Sequence, residues 1–207
     1  MRLLRKSELP LLLGFLFLFV FLIVDFSVVN GYFDGFDSDV NDFVTYQSGS
    51  LVFSFFIGLT NLASTSVILV LSFILLLFLI YKKRYKEVLF FVFVLGGAAA
   101  LEFIVKNLIH RSRPLSGLVD ATGYSFPSGH ALKAVLFFSL IIYLFLRNFK
   151  SNFNKGVFVF VCVILTLLIG FSRVYLHVHW VSDVFGGFLL GLFWFFFSLF
   201  VFERFWK

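Results

Sequence analysis

Three short segments hold most of the side chains capable of phosphate chemistry. In the first, Lys106 is followed by Arg111 and Arg113, and Pro114 disfavours helix at Arg113. Arginine offers a planar fork of donors matched to phosphate oxygens and lysine a compact charge, so together they suit a multiply charged tetrahedral anion. In the second, Ser125, Phe126, Pro127, Ser128, Gly129 and His130 lead directly into an apolar run. Unpaired N–H groups at a helix start make an anion cradle, and Gly129 permits close approach. Ser128 can donate its hydroxyl there, and His130 can deliver a proton to a leaving oxygen. In the third, Ser172 and Arg173 precede His177, His179 and Asp183. His179 and Asp183 are four apart, which on a helix makes them neighbours. Asp183 can then accept a proton from one imidazole nitrogen and leave a lone pair on the other, the condition for nucleophilic attack on phosphorus.

Each segment alone has a plainer reading: snorkelling cations, a serine N-cap, a structural His–Asp hydrogen bond. Topology argues for the joint one. With 61% hydrophobic and only 14% charged residues, the chain is too apolar to present a solvated surface. Runs long enough to cross a bilayer fall at 9–29, 60–81, 88–106, 129–147, 156–174 and 180–202. The fold class expected is all-α: an integral membrane bundle of six transmembrane helices in a single domain, 1–207. Residues 51–59 are apolar but interrupted, so they either lengthen the second helix or lie in the interface. The run 9–29 exceeds a signal-peptide core and reads as an uncleaved first span. The 35 phenylalanines read as lipid-facing and helix-packing bulk, and Cys162, the one cysteine, excludes an internal disulfide.

Basic residues mark the cytoplasmic side. Arg2, Arg5, Lys6, Lys82, Lys83, Arg84, Lys86, Arg147, Lys150, Lys155, Arg204 and Lys207 all fall on one face of a six-span chain. Both termini are therefore expected to be cytoplasmic. The opposite face receives residues 30–50, where Asp34, Asp37, Asp39 and Asp42 read as a solvated acidic loop able to bind a divalent ion weakly at most. The net charge of +6 thus reports membrane topology and gives no nucleic-acid face. Lys106, Arg111, Arg113, Lys133 and Arg173 lie outside those clusters, near span ends, where an ionisable side chain needs a partner or a function. The three segments all land on the extracytoplasmic face, so they fit a single anion site.

These segments resemble the three signatures of the type 2 phosphatidic acid phosphatase family, K-x6-R-P, P-S-G-H and S-R-x5-H-x3-D, here Lys106 to Pro114, Pro127 to His130 and Ser172 to Asp183. The six-span layout resembles the family's bacterial members. The resemblance implies a two-step reaction without metal or other cofactor. In it His179 is the nucleophile, Asp183 orients it, and His130 protonates the leaving group. Lys106, Arg113, Ser128, the Gly129 amide and Arg173 bind phosphoryl oxygens. Glu102, four residues before Lys106, can position that lysine. Lys133, His177 and His110 are further residues near the site; Lys133, one turn beyond His130, can reach a substrate headgroup. The substrates expected first are undecaprenyl diphosphate and phosphatidylglycerol phosphate, then phosphatidic acid and lipid A phosphates. Two other readings compete: a lipid-to-lipid phosphotransferase, and a membrane protein that binds or carries lipid phosphates without turnover. The haloperoxidases that share the anion-site residues are soluble, and composition argues against that activity here.

Overall fold

A computed structural model describes residues 8–45, 49–119 and 121–206. Arg2, Arg5, Lys6 and Lys207, which enter the charge argument, lie outside these. Among the described residues eight α-helices follow in order: α1 Leu9–Val29, α2 Asp34–Phe43, α3 Leu51–Asn61, α4 Thr65–Tyr81, α5 Tyr85–Ile109, α6 Gly129–Phe145, α7 Asn152–Tyr175 and α8 Val181–Phe205. A short 3₁₀ turn, Leu146–Asn148, follows α6. Five of them, α1, α5, α6, α7 and α8, are long and apolar enough to cross a membrane singly. The pair α3 and α4, bent by 50° at its break, is long and apolar enough together to make a sixth span.

That break resolves the ambiguity of residues 51–59. After α3, Ser64 takes an extended conformation and accepts the Val67 amide at 3.4 Å, restarting the chain as α4. The helix α3 is a separate element that packs Phe56 and Leu59 toward Ile169 of α7.

The bundle is organised around α6. Leu132, Leu136, Leu140 and Leu144 recur every four residues and are all buried, a stripe aimed at one wall of the core. Half of the α6 span is buried, against 22% of α1 and of α5. Phe15, Phe19, Phe73, Phe103 and Phe160 are exposed, as expected of a lipid-facing surface. Gly186, Gly187 and Gly191 let α8 come against the start of α6: a Cβ on Gly187 would stand 2.6 Å from the Ser128 carbonyl oxygen, and one on Gly191 3.0 Å from Val135. These small residues therefore serve packing within the chain.

One expectation is corrected outside the membrane. Residues 34–43 form a helix, and Asp37, 1% exposed, is buried, while Asp34, Asp39 and Asp42 remain exposed. A buried carboxylate must be paired, and Asp37 is paired within the site described next.

Candidate active site

The C-terminal end of α5, the start of α6 and the turn 176–180 between α7 and α8 meet at one end of the bundle. The loop 110–128 is anchored there by Phe126, fully buried, whose ring stacks on Phe21 of α1 at 5.9 Å and lies against Gly186 of α8. This anchor brings Ser125 and Ser128 onto the N-terminus of α8, where the Ser128 amide donates to the Asp183 carbonyl at 2.9 Å.

Asp183 is fully buried and its two oxygens are divided between tasks. Oδ2 accepts the Trp180 amide at 2.9 Å, which caps α8, together with the Ser125 hydroxyl and His179 Nδ1 at 3.3 Å. Oδ1 accepts Arg111 Nη1 at 2.8 Å. The other ring nitrogen of His179, Nε2, lies 3.1 Å from Arg113 Nη1. A guanidinium can only donate, so Nε2 must be the accepting nitrogen and Nδ1 carries the proton toward Asp183. The tautomer is fixed from both sides, with its lone pair aimed at the cations. Burial pulls the His179 pKa down to about 4; the Asp183 carboxylate opposes this shift and the Arg113 and Arg173 cations add to it.

In the unfolded chain the His179 imidazole takes its proton near its ordinary 6.5, but in the fold only near 4, so the unfolded state binds more protons in between. Stability from keeping this ring neutral is present above 6.5 and lost as pH falls through about 4. Thermal unfolding followed from pH 8 to pH 4 is expected to show the wild type losing ground to a His179→Gln variant over that window. A difference that does not change with pH would contradict the assignment.

Arg113 spends all five N–H groups: Nε on the Gly123 carbonyl at 3.0 Å, Nη1 on the Val178 carbonyl at 2.7 Å and on His179, and Nη2 on the Thr122 and Tyr124 carbonyls at 3.1 and 3.2 Å. Only the donor facing His179 can pass to another acceptor without dismantling the loop. Burial lowers the Arg113 pKa, against the opposing charges of Asp183 and Glu102.

The remaining cations surround His130. Its imidazole is within electrostatic reach of Arg173, Lys133, His179 and Lys106. Lys106 pairs with Glu102 at 3.1 Å, as their spacing predicts, and the Glu102 carboxylate lies against Gly129, where a Cβ would displace it. Arg173 is 5% exposed and donates from Nη1 to Thr60 of α3 at 2.7 Å, while Lys133 donates to Thr65 of α4 at 2.8 Å. The broken span thus places a hydroxyl on each of two cations.

Two polar atoms in this cluster stand out. Arg173 Nε and the Ser128 hydroxyl are buried and have no hydrogen-bond partner among the described residues. A serine that opens a helix ordinarily caps it; Ser128 does not, and its hydroxyl is left for something else. Buried donors are normally satisfied, so both are available to an added acceptor.

Sequence reading named these residues but missed the group behind Asp183. Arg111 bonds Asp183, donates from Nη1 to the Ser182 hydroxyl at 2.6 Å and from Nη2 to Asp37 at 2.8 Å, and lies 5.8 Å from the Trp180 ring. Asp37 also accepts the Ser182 amide at 3.0 Å and its hydroxyl. Burial works against the Arg111 charge, yet Asp183 and Asp37 outweigh it and raise its pKa. In the sequence Arg111 stood outside the basic clusters and beside Arg113, which marked it as a further phosphate cation and gave no sign of its pairing with Asp37 and Asp183. His177 takes a different part from that considered for it: Nε2 donates to the Val44 carbonyl at 2.7 Å and Nδ1 meets Ser116 at 3.0 Å, tying the end of α2 to the loop. His110 ends α5 and packs edge-on against Tyr124 at 4.4 Å. Among the described residues no group of three or more His, Cys, Asp or Glu gathers as a metal site.

Comparison with known proteins agrees with this geometry. Residues 87–207 match the PAP2 superfamily. The chain is 37% identical over 142 residues to phosphatidylglycerophosphatase B of Bacillus subtilis, covering 67% of this chain and 70% of that one. It is 30% identical over 158 residues to human dolichyldiphosphatase 1, covering 68% of this chain and 63% of that one. The crystal structure of a transmembrane PAP2-type phosphatidylglycerolphosphate phosphatase from Bacillus subtilis superposes with a TM-score of 0.85 at 28% identity, over 94% of this chain and 98% of that one. The chain belongs to the PAP2 superfamily. It is an integral, multi-pass membrane hydrolase of that phosphatase class.

Proposed function

We propose that the protein hydrolyses a lipid phosphate or diphosphate at the extracytoplasmic face through a phosphohistidine on His179. The observation that carries this reading is the convergence of two unsatisfied buried donors, Ser128 Oγ and Arg173 Nε, on a cluster that also holds the His179 lone pair and His130. Donors fixed in advance around a phosphoryl group stabilise charge as it redistributes, without reorganising.

His179 Nε2 attacks phosphorus while the bond to the leaving oxygen breaks; His130 gives that oxygen a proton. Asp183 keeps Nδ1 protonated and pointed. Arg173, Ser128, Lys106 and the Gly129 amide hold phosphoryl oxygens, and Arg113 transfers to them the one N–H it now places on Nε2. Water then cleaves the N–P bond, with His130 taking its proton, and inorganic phosphate leaves.

Orientation rests on the basic residues. Lys82, Lys83 and Arg84 between α4 and α5, Lys86 in the first turn of α5, and Lys150 and Lys155 beside the start of α7 lie at the end of the bundle opposite the site. A site at the outer interface is reached directly by headgroups in that leaflet. The names of the relatives make phosphatidylglycerol phosphate and polyprenyl diphosphates, undecaprenyl diphosphate among them, the substrates to test.

Phosphate release from a panel of lipid mono- and diphosphates in detergent, with and without EDTA, is expected to be unaffected by the chelator and to favour one of these two classes. Activity abolished by EDTA would contradict the chemistry. Phosphate appearing only on an added lipid acceptor would instead identify a transferase.

A further inference from the structure

Lys133 is a surplus cation. One tetrahedral phosphate is already provided with Arg173, Lys106, Arg113 and the Ser128 hydroxyl, and Lys133 does not cap or pair with any of them. Its ammonium donates to the neutral hydroxyl of Thr65, and no carboxylate of the described residues forms an ion pair with it. The one carboxylate within electrostatic reach of it, Glu102, is already paired with Lys106 at 3.1 Å, and a half-buried lysine at a span end that must share its counter-ion favours a further anion.

Its position says which part of a substrate would do so. Lys133 is three residues after His130 on α6, on the same helix face and about 4.5 Å further from the outer end. Side chains lean toward the helix N-terminus, so its long stem reaches back toward His130; the two interact electrostatically, as Lys133 does with Arg173 and Lys106. In a reaction that releases inorganic phosphate, the leaving group keeps the lipid tail. It therefore lies on the bilayer side of the bond that breaks, where His130 protonates it and where Lys133 stands.

We infer that Lys133, held by Thr65, binds a second phosphate on the leaving-group side, making the enzyme selective for lipids that carry two phosphates over simple lipid phosphomonoesters. This rests on the phosphohistidine reading above. As the P–O bond breaks and the leaving oxygen keeps the electron pair, the Lys133 cation faces the charge that the lipid-linked phosphate retains. The same chemistry arises in a diphosphate, whose phosphates share one oxygen, and in a glycerophospholipid whose terminal monoester is separated from its diester phosphate by glycerol.

The test uses the purified full chain and two substrate pairs: an isoprenyl diphosphate against the corresponding monophosphate, and phosphatidylglycerol phosphate against phosphatidic acid. In Lys133→Gln the ratio of kcat/KM for the two-phosphate member over its partner is expected to fall about tenfold to a hundredfold, the worth of a charge-assisted hydrogen bond. Lys133→Arg is expected to restore most of that ratio. Thr65→Val, which leaves the charge in place, is expected to lower it a few-fold. The pair whose ratio responds identifies whether the second phosphate is adjacent or spaced by glycerol. An active wild type whose ratios are unchanged in Lys133→Gln, or a variant that loses equally on both members of each pair, would overturn this inference alone. A wild type that releases no phosphate from any of the four would overturn the reading beneath it.

Discussion

Replacing His179 by alanine is expected to lower phosphate release by about 10⁴-fold or more, with the protein still inserting and purifying as the wild type does. The magnitude follows from the role: His179 supplies the attacking lone pair, its ring held by Asp183 at one nitrogen and facing Arg113 with the other. Asp183 and Arg113 would remain where they are, because Asp183 keeps Arg111, Ser125 and the Trp180 amide, and Arg113 keeps four loop carbonyls. The defect should therefore fall on kcat, with substrate still bound by Arg173, Lys106 and Ser128. A His179→Ala enzyme turning over at the wild-type rate would remove the nucleophile from the account, and a protein that merely binds lipid phosphates would be the better description.

The second large effect concerns Arg111. Arg111→Met would leave the carboxylates of Asp37 and Asp183, 1% and 0% exposed, near one another without a cation. Breaking a buried pair by removing one partner costs about 3–5 kcal/mol, which corresponds to a fall of roughly 10 °C in the unfolding midpoint for a chain of this size. Activity should fall with it, because the carboxylate that orients His179 loses its electrostatic support. Arg111→Lys should recover part of the stability and less of the activity, since an ammonium cannot span Asp37, Ser182 and Asp183 in one plane. Thermal unfolding and phosphate release measured on the same preparations check both statements. An Arg111→Met protein as stable and active as the wild type would show that the Asp37–Arg111–Asp183 network is incidental.

That network also marks where reading the sequence stops. Lys106, Arg113, His130, Arg173, His179 and Asp183 could be gathered from the linear chain because each sits at the end of an apolar run, and the alternating direction of successive runs brings such ends to one end of the bundle. The α1 bounds and the pairing of Glu102 with Lys106 followed from equally local rules, run length and helical spacing. Asp37 obeyed no such rule. Its segment, Asp34–Phe43, carries Gly35 and four aspartates and has the composition of a solvated loop. Its partner Ser182 is 145 positions away, and only the meeting of α2 with the start of α8 shows that one of the four aspartates is enclosed. The broken span was half legible for the same reason. Interruptions at Gly58 and Asn61 were visible, but the use of the break, to deliver Thr60 to Arg173 and Thr65 to Lys133, depends on where α3 meets α7 and α4 meets α6. His177 was legible only as a neighbour of His179 in sequence; the left-handed backbone there directs its ring to Val44 and Ser116.

The phosphoryl-enzyme intermediate provides the most direct test of the central claim. Enzyme mixed with a substrate labelled in its terminal phosphate, and quenched with alkali within the first turnover, should carry label on the peptide containing residue 179. That label should be stable in base and lost in acid, as a phosphorus–nitrogen bond requires. It should be absent from His179→Ala and persist longer in His130→Ala, where water is activated poorly. Label on any other residue, or full-rate phosphate release with no labelled peptide at any quench time, would contradict it.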